Sequence, residues 1–181
     1  MEKPYAVVFA GVPGTSKSPL SHYISCEFGL PILNTDQIRF EVREDFRIKD
    51  IREQGGIGEF QRRLQDRFSR LLASKVPFIF DGSMDRHWAE RKQSFQQAGY
   101  DCFMIDMELS REFLIGFYNA TNRGSWADTN LDFYLGQHND FMAKFAGDVN
   151  LRIDDDSFAD RLKIAADGLR MFLSSRKISQ I

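Results

Sequence analysis

The chain has 181 residues, of which 43% are hydrophobic and 17 are phenylalanines, so it can bury the core of one domain and is not intrinsically disordered. Its net charge of −2 excludes a global electrostatic attraction to nucleic acid or anionic membranes. Two cysteines and three histidines are scattered along the chain and predict neither a disulfide framework nor a zinc site. The N-terminal apolar stretch is too short for a signal peptide or a membrane span. We therefore expect a soluble cytoplasmic protein, either a monomer or a homodimer.

Apolar runs of strand length alternate with segments of helical periodicity along the chain. Strands are expected at Tyr5–Ala10, Leu30–Asn34, Val76–Gly82, Tyr100–Leu109 and Asp148–Asp154. Helices are expected at Ser16–Phe28, Asp36–Arg43, Phe60–Lys75, His87–Ala98, Ser110–Thr121 and Ser157–Ser174, with a loop at Arg52–Glu59. Such alternation predicts a single α/β domain over residues 1–181, with a five-stranded parallel sheet and helices on both faces.

The first predicted strand and helix are joined by "GVPGTSKS", which differs from the phosphate-binding pattern G-x-x-x-x-G-K-[ST] only at Ser16. Backbone N–H groups in such a loop, together with the helix N-terminus, can bind phosphate oxygens. Lys17 is expected to reach the β- and γ-phosphates, and the Ser18 hydroxyl to bind Mg²⁺. The candidate nucleotide-binding residues are Gly11, Val12, Pro13, Gly14, Thr15, Ser16, Lys17 and Ser18.

Two residues of this stretch depart from the pattern. Ser16 adds a Cβ that crowds the loop unless its φ is negative. Pro19 lacks the N–H that would contact the α-phosphate, which costs roughly 1.5–3 kcal/mol at most, although proline is tolerated in a first helical turn. The alternative interpretation is an ordinary Gly-Pro turn with an exposed Lys17.

A second group of polar residues follows the second predicted strand. In a sheet of order 2-3-1-4-5, Asp36 faces the γ-phosphate region, where its carboxylate can accept the proton of an attacking hydroxyl. Arg39 lies on the same helical face and can hold an anionic acceptor group or the transferring phosphoryl group. The alternative makes Asp36 a helix cap and Arg39 its exposed partner.

"GVPGTSKS" followed by "LNTDQIR" resembles the small P-loop kinases of the polynucleotide-kinase, gluconate-kinase and zeta-toxin group. The resemblance implies a P-loop NTPase fold with sheet order 2-3-1-4-5 and a helical lid at about residues 119–135. It further implies transfer from ATP, with Mg²⁺, to a hydroxyl. Lys17 then belongs to the catalytic residues, Asp36 matches the general base and Arg39 the acceptor-side arginine.

The same resemblance assigns roles further along the chain. Asp81, at the end of the third strand, is expected to bind Mg²⁺ through water, to orient Ser18 or to touch the acceptor; the alternative is a plain Asp-Gly turn. Arg123 matches the second catalytic arginine of the lid, with Gly124 as a hinge. Asn119 stands where the group usually has another arginine.

The acceptor is not identified by the sequence. Its pocket is expected between the segments Glu41–Gly58 and Gly82–Trp88, with His87 and Trp88 as packing residues. A solvated helix face is expected for the arginines Arg62, Arg63, Arg67 and Arg70. We expect a kinase of a small-molecule or nucleoside-type acceptor. The alternatives are a kinase of polynucleotide 5′-hydroxyls or nucleotide sugars, and a nucleotide-binding module without transfer.

Overall fold

Five parallel strands form one sheet of order β2-β3-β1-β4-β5 in a computed structural model that describes residues 3–121 and 124–178, with only the backbone for 125–129 and 177–178. The strands are β1 (Tyr5–Ala10), β2 (Ile32–Asn34), β3 (Phe78–Ser83), β4 (Asp101–Met107) and β5 (Leu151–Ile153). The α-helices are α1 (Lys17–Phe28), α2 (Thr35–Phe46), α3 (Gly56–Ser74), α4 (Trp88–Gln97), α5 (Arg111–Ala120), α6 (Gly124–Phe145) and α7 (Arg161–Ile178). The predicted α/β fold and strand order are confirmed.

The central strand β1 is apolar on both faces because helices cover both sides of the sheet. Val7 and Phe9 pack into one core with residues of α1, α5 and α7, whereas Ala6 and Val8 pack into a second core around Phe68 of α3. Because successive side chains of β1 point to opposite faces of the sheet, this strand contributes residues to both cores. The carboxyl ends of the strands point to one edge of the sheet, where the loop 11–16 lies.

Several helix boundaries differ from the sequence predictions, and the 22-residue helix α6 is not among the predicted helices. Residues 52–59 were expected to form a loop, but α3 begins at Gly56, so the last four residues of this segment are helical. α2 is capped by Asn34, whose side-chain oxygen accepts a hydrogen bond from Gln37 N at 2.8 Å. Asp36 lies in the first turn of α2 and is therefore not its N-cap, which removes the capping interpretation.

The arginines of α3 are neutralised by neighbouring carboxylates. Arg67 pairs with Glu41 of α2, and Arg63 pairs with Asp45 of α2 and Glu59 of its own helix. Arg62 and Arg70 pair with acidic residues one turn away. This is the solvated, internally paired helix face that the sequence predicts. No helix within the described residues is long and apolar enough to span a membrane.

The pairing between β1 and β3 shifts register near the carboxyl end. Val8 pairs with Phe80, whereas the next residue, Phe9, pairs with Ser83. Asp81 and Gly82 therefore have no partner on β1, although Asp81 still pairs with Asn34 of β2. The predicted break at Gly82 is wrong, since β3 continues to Ser83, and Asp81 lies in a bulged strand end and not in an Asp-Gly turn.

Candidate active site

The loop between β1 and α1 has the backbone geometry of a phosphate-binding loop. Gly11 and Gly14 have φ values of 114° and 85°, which residues with a Cβ rarely adopt. A Cβ on Gly11 would lie 2.9 Å from the Cβ and 3.0 Å from the carbonyl oxygen of Met107 on β4, so only glycine fits there. The Tyr118 hydroxyl of α5 donates to the Pro13 carbonyl at 2.5 Å and anchors the loop from its other side.

Ser16 has a φ of 66°, the left-handed conformation that favours the glycine of the usual pattern. The negative φ that would relieve crowding is thus not adopted. The Ser16 hydroxyl accepts a hydrogen bond from Arg161 Nε at 3.1 Å, and the Arg161 guanidinium lies 4.2 Å from the centroid of the Phe158 ring. No sequence pattern indicates this link between the loop and α7, because the two residues are 145 positions apart.

Lys17 is buried, with 8% of its surface exposed. Its Nζ donates to the carbonyls of Gly11 at 2.7 Å and Val12 at 2.6 Å and to the Thr15 hydroxyl at 3.2 Å. Burial lowers the pKa of Lys17 to about 8, against the opposing charges of Asp85, Asp81, Asp106 and Asp36. This geometry rules out the exposed lysine of an ordinary turn.

Ser18, Asp81 and Asn34 form an oxygen-rich group beside the loop. The Ser18 hydroxyl donates to Asp81 Oδ1 at 3.3 Å, and Asn34 Nδ2 donates to Asp81 Oδ2 at 2.9 Å. Burial raises the pKa of Asp81, which is 5% exposed. In the described part of the chain no three His, Cys, Asp or Glu residues converge as a metal cage. A hydroxyl and one carboxylate nevertheless fit Mg²⁺, which takes few protein ligands and completes its shell with phosphates and water.

Asp36 and Arg39 lie at the mouth of the same cavity as the phosphate loop. The two side chains form an ion pair, and Asp36 remains 76% exposed. The Arg39 guanidinium lies 5.2 Å from the centroid of the Phe60 ring, which holds it over the cavity. Asp36 is thus accessible to a ligand that contacts the loop.

The cavity has a volume of about 530 Å³ and runs from the phosphate loop to α3 and α4. Besides the residues of the loop and of the start of α1, its lining consists of Thr35, Asp36, Arg39, Phe60, Leu64, Phe80, Asp81, Gly82, Ser83, Met84, Arg86, His87, Arg91, Phe117 and Thr121. Gly82, Ser83, Met84, Arg86 and His87 of the segment Gly82–Trp88 line this cavity, whereas no described residue of Glu41–Gly58 does. Residues 41–46 belong to α2 and residues 56–58 to α3, and the non-helical residues 47–55 connect the two helices.

Trp88 and His87, both predicted to be packing residues, lie at the start of α4. Trp88 is a buried packing residue as predicted, and its Nε1 donates to Asp148 at 2.8 Å. His87 is exposed and lines the cavity, so its assignment to packing is wrong.

Arg123, the catalytic arginine expected in the lid, lies outside the described residues. A Cβ on Gly124 would lie 2.3 Å from Asn119 Oδ1, so the Asn119 amide folds against the start of α6. Much of the segment predicted as the lid belongs to α6.

Behind the loop lies a buried cluster that the sequence analysis missed. Asp85 accepts a hydrogen bond from Gly11 N at 3.0 Å with Oδ1, and its Oδ2 lies 3.2 Å from His138 Nδ1. His138 Nε2 lies 3.4 Å from Asp106 Oδ1. Asp106 is fully buried, and neither of its carboxylate oxygens has a hydrogen-bond partner among the described residues. The cluster connects α6 to the first residue of the phosphate loop.

The protonation of this cluster is shifted by its surroundings. Burial raises the pKa of Asp106 to about 6. Burial alone would lower the pKa of His138, but the hydrogen bond to Asp85 and the charges of Asp106 and Asp85 raise it overall. Both shifts favour the protonated forms in the folded protein.

Comparisons with known proteins identify the fold. No family model and no curated protein matches the chain. Among solved structures, a Chloroflexus aurantiacus protein to which kinase activity is ascribed has a TM-score of 0.67 at 17% identity, covering 97% of this chain and 98% of its own. A gluconokinase from Sinorhizobium meliloti 1021 has a TM-score of 0.62 at 16% identity, covering 100% of both chains.

A third solved structure, the APS kinase of Mycobacterium tuberculosis with AMPPNP and APS, has a TM-score of 0.53 at 18% identity. The match covers 94% of this chain and 99% of that one. The chain therefore has the fold of the small P-loop kinases, in agreement with the resemblance carried by its two motifs.

Proposed function

We propose that the protein is a kinase that uses ATP and Mg²⁺ to phosphorylate a hydroxyl group of a small-molecule or nucleoside-type acceptor. One observation carries this proposal: the phosphate loop and the Asp36–Arg39 pair line one continuous cavity. A nucleoside triphosphate bound at the loop and an acceptor hydroxyl beside the Asp36 carboxylate can thus meet in the same cavity. The AMPPNP in the APS kinase structure supports ATP as the phosphoryl donor.

The transfer that we propose is a single displacement. The acceptor hydroxyl oxygen forms a bond to the γ-phosphorus, and the bond from that phosphorus to the β,γ-bridging oxygen breaks, which leaves ADP. The hydroxyl proton passes to the Asp36 carboxylate. Lys17 turns from the loop carbonyls to the β- and γ-phosphates, where its charge stabilises the leaving group. Arg39 and Arg123 are assigned to the acceptor and the transferring phosphoryl group.

Ser18 and Asp81 are proposed to hold Mg²⁺, Ser18 directly and Asp81 directly or through water. When bound, Mg²⁺ neutralises charge on the β- and γ-phosphates. The Asn34 amide fixes one oxygen of Asp81 and leaves the other directed at Ser18. This arrangement orients the carboxylate before a nucleotide enters.

The alternative acceptors and functions have different support. The arginines of α3 are ion-paired, which disfavours a track for a polynucleotide. Pro19 and Asn119 remain the residues that favour a binding module without transfer, because each removes a phosphate contact. That function would retain the phosphate loop but make no use of Asp36.

The variant Asp36→Asn tests the proposal. It keeps the side-chain volume and leaves the Asn34 cap of α2 intact, so binding of ATP and Mg²⁺ should stay near wild type. Phosphoryl transfer should fall by about 10²–10⁴-fold, the usual contribution of a positioned general base. The measurement is transfer from labelled ATP to a broad set of alcohols, nucleosides and 5′-hydroxyl oligonucleotides.

The matched control is Asp66→Asn, which removes an exposed carboxylate that also pairs with an arginine of its own helix. It should leave transfer unchanged. Transfer that persists at the wild-type rate in Asp36→Asn excludes Asp36 as the base. A wild-type protein that binds ATP but phosphorylates none of the acceptors is a nucleotide-binding module.

A further inference from the structure

Two arginines that line the cavity have no carboxylate partner among the described residues. Arg39 in the same cavity is paired with Asp36, and Arg67 on the adjoining helix is paired with Glu41. Arg86 and Arg91 form no ion pair with any described residue. Both nevertheless line the cavity, Arg86 from the turn after β3 and Arg91 from α4.

Arg91 is held firmly and is partly removed from water. Its guanidinium lies 4.5 Å from the centroid of the Phe68 ring and 5.7 Å from that of Phe80. Burial lowers its pKa, with only a small opposing effect from the neighbouring Glu90. Its recorded hydrogen bond goes from Nη1 to Gln65 Oε1 at 3.1 Å, whereas a guanidinium has five N–H donors. A fixed, partly desolvated cation with donors to spare is a site for an oxyanion.

The surroundings make this end of the cavity electropositive. The Arg86 guanidinium lies 5.7 Å from the centroid of the Tyr134 ring of α6. Although His87 is exposed as a residue, its imidazole is partly desolvated by its neighbours; this desolvation and then the positive charges of Arg86 and Arg91 lower its pKa, against the charge of Glu90. Besides Asp81, the described lining of the cavity contains one other carboxylate, Asp36, which is paired with Arg39.

Apolar side chains line the cavity together with these arginines. Phe60, Leu64, Phe80 and Met84 line the same cavity, and a volume of about 530 Å³ is that of a site for a small molecule. A compact carbon skeleton can therefore lie against them with one polar end at Asp36 and the other at Arg86 and Arg91.

We propose that the acceptor is a small alcohol that also carries an anionic group, a carboxylate or a phosphate monoester, and that Arg86 and Arg91 bind this group while the hydroxyl faces Asp36. This inference rests on the proposed kinase function, because only a kinase would phosphorylate the bound alcohol. Binding of the anionic group by Arg86 and Arg91 can nevertheless be measured without any phosphoryl transfer. Arg86 and Arg91 are thereby residues that determine acceptor specificity.

Binding measurements on the whole protein test the anion site. The probes are hydroxy acids, sugar acids and sugar phosphates, each paired with its neutral analogue, for example gluconate and glucose 6-phosphate against glucose. In calorimetry the anionic member of at least one pair should bind about 10–100-fold more tightly than its neutral analogue. Carboxylates and phosphate monoesters form separate arms, and the tighter arm identifies the anionic group.

The variants Arg86→Gln and Arg91→Gln should each remove most of this preference. Arg91→Lys, which keeps the charge but not the fork of donors, should retain part of it and guards against a folding defect at the Phe68 contact. The control is Arg43→Gln, an exposed arginine of α2 that does not line the cavity. Anion binding should also raise the pKa of His87 in NMR titrations, an effect that a merely structural arginine would not produce.

The inference is overturned if no anionic probe binds more tightly than its neutral analogue, or if the arginine variants bind the anions as wild type does. Failure of the proposed function gives a different result: anions bind through Arg91, but no phosphoryl group is transferred. Transfer to neutral alcohols with equal kcat/KM in wild type and Arg91→Gln would keep the kinase and remove the anion site. Transfer only to 5′-hydroxyl oligonucleotides would exclude a small acceptor.

Discussion

Ser16 is in a backbone conformation that costs a residue with a Cβ roughly 1–2 kcal/mol relative to the right-handed region. The chain gains a contact in return, because the Ser16 hydroxyl accepts the hydrogen bond from Arg161 Nε. Arg161 also donates to the Phe158 carbonyl at 2.8 Å, so it joins the phosphate loop to the turn before α7. At Ser16 the left-handed backbone therefore lowers the stability of the fold, whereas the hydrogen bond from Arg161 raises it.

Replacing Ser16 by glycine or by alanine separates these two effects. Both variants lose the hydrogen bond to Arg161, but only glycine relieves the left-handed strain. We expect the free energy of unfolding of Ser16→Gly to exceed that of Ser16→Ala by about 1 kcal/mol, as measured by urea denaturation. Equal stabilities of the two variants would contradict the left-handed conformation of this residue.

At the scale of elements, the cluster of Asp85, Asp106 and His138 ties α6 to the phosphate loop. Asp85 is shared between the Gly11 amide and the His138 ring, so a shift of α6 is transmitted to the first residue of the loop. Asp106 pairs with Ala10 in the ladder between β1 and β4, which places its carboxylate directly behind that loop. The free energy that this cluster contributes to folding depends on whether Asp106 and His138 are protonated.

The pKa shifts predict a dependence of stability on pH. A raised pKa of Asp106 means that the folded state keeps a proton that the unfolded state loses between about pH 4 and pH 6, so stability falls as pH rises through that window. The raised pKa of His138 extends this fall above pH 6.5. We expect the Tm of wild type to decrease from pH 5 to pH 7.5 and that of Asp106→Asn to decrease less.

The pH series should be measured by thermal unfolding in the presence of constant salt. Asp66→Asn, which removes an exposed carboxylate of α3, should retain the wild-type slope. The lowered pKa of Lys17 acts in the opposite direction only above about pH 8 and does not enter this window. Parallel curves for wild type and Asp106→Asn would show that Asp106 is ionised in both states.

The five strands, most helices and the loop between β1 and α1 could be predicted because their signals are local, whereas α6 was not predicted as a helix of its own. An apolar strand, a glycine-rich turn and Lys17 follow one another within a dozen residues, and Asp36 follows the next strand in the same way. His138 and Asp85 are 53 positions apart, and no pattern marks them as partners. Arg91 likewise occurs in a polar helix, where its packing on Phe68 becomes visible only after folding.

For the molecule as a whole, the buried charge of Lys17 lowers the free energy of unfolding when no nucleotide is bound. Its pKa is lowered from 10.5 to about 8, so at pH 7 the buried charge costs the folded state on the order of 3 kcal/mol. This cost declines as pH rises from 8 to 10.5, because the folded state then loses its proton before the unfolded state does. Bound phosphates would compensate the same charge.

We therefore expect Lys17→Met to raise the Tm of the nucleotide-free protein at pH 7 by several degrees. Wild type should gain further stability with ATP and Mg²⁺, in proportion to the logarithm of their concentration, whereas the variant should gain almost none. Thermal unfolding with and without the nucleotide measures both effects. An equal gain in both proteins would exclude Lys17 from the phosphate site.

The register shift in β3 has a consequence for the comparison of this chain with other kinases. Asp81 and Gly82 have no partner on β1, so a relative whose third strand pairs regularly has two fewer residues before the acceptor side of the site. An alignment without a gap through this strand would set Asp81 of this chain against the relative's counterpart of Ser83. It would also displace Arg86 by two positions. The gap belongs after Phe80, where the backbone leaves the ladder.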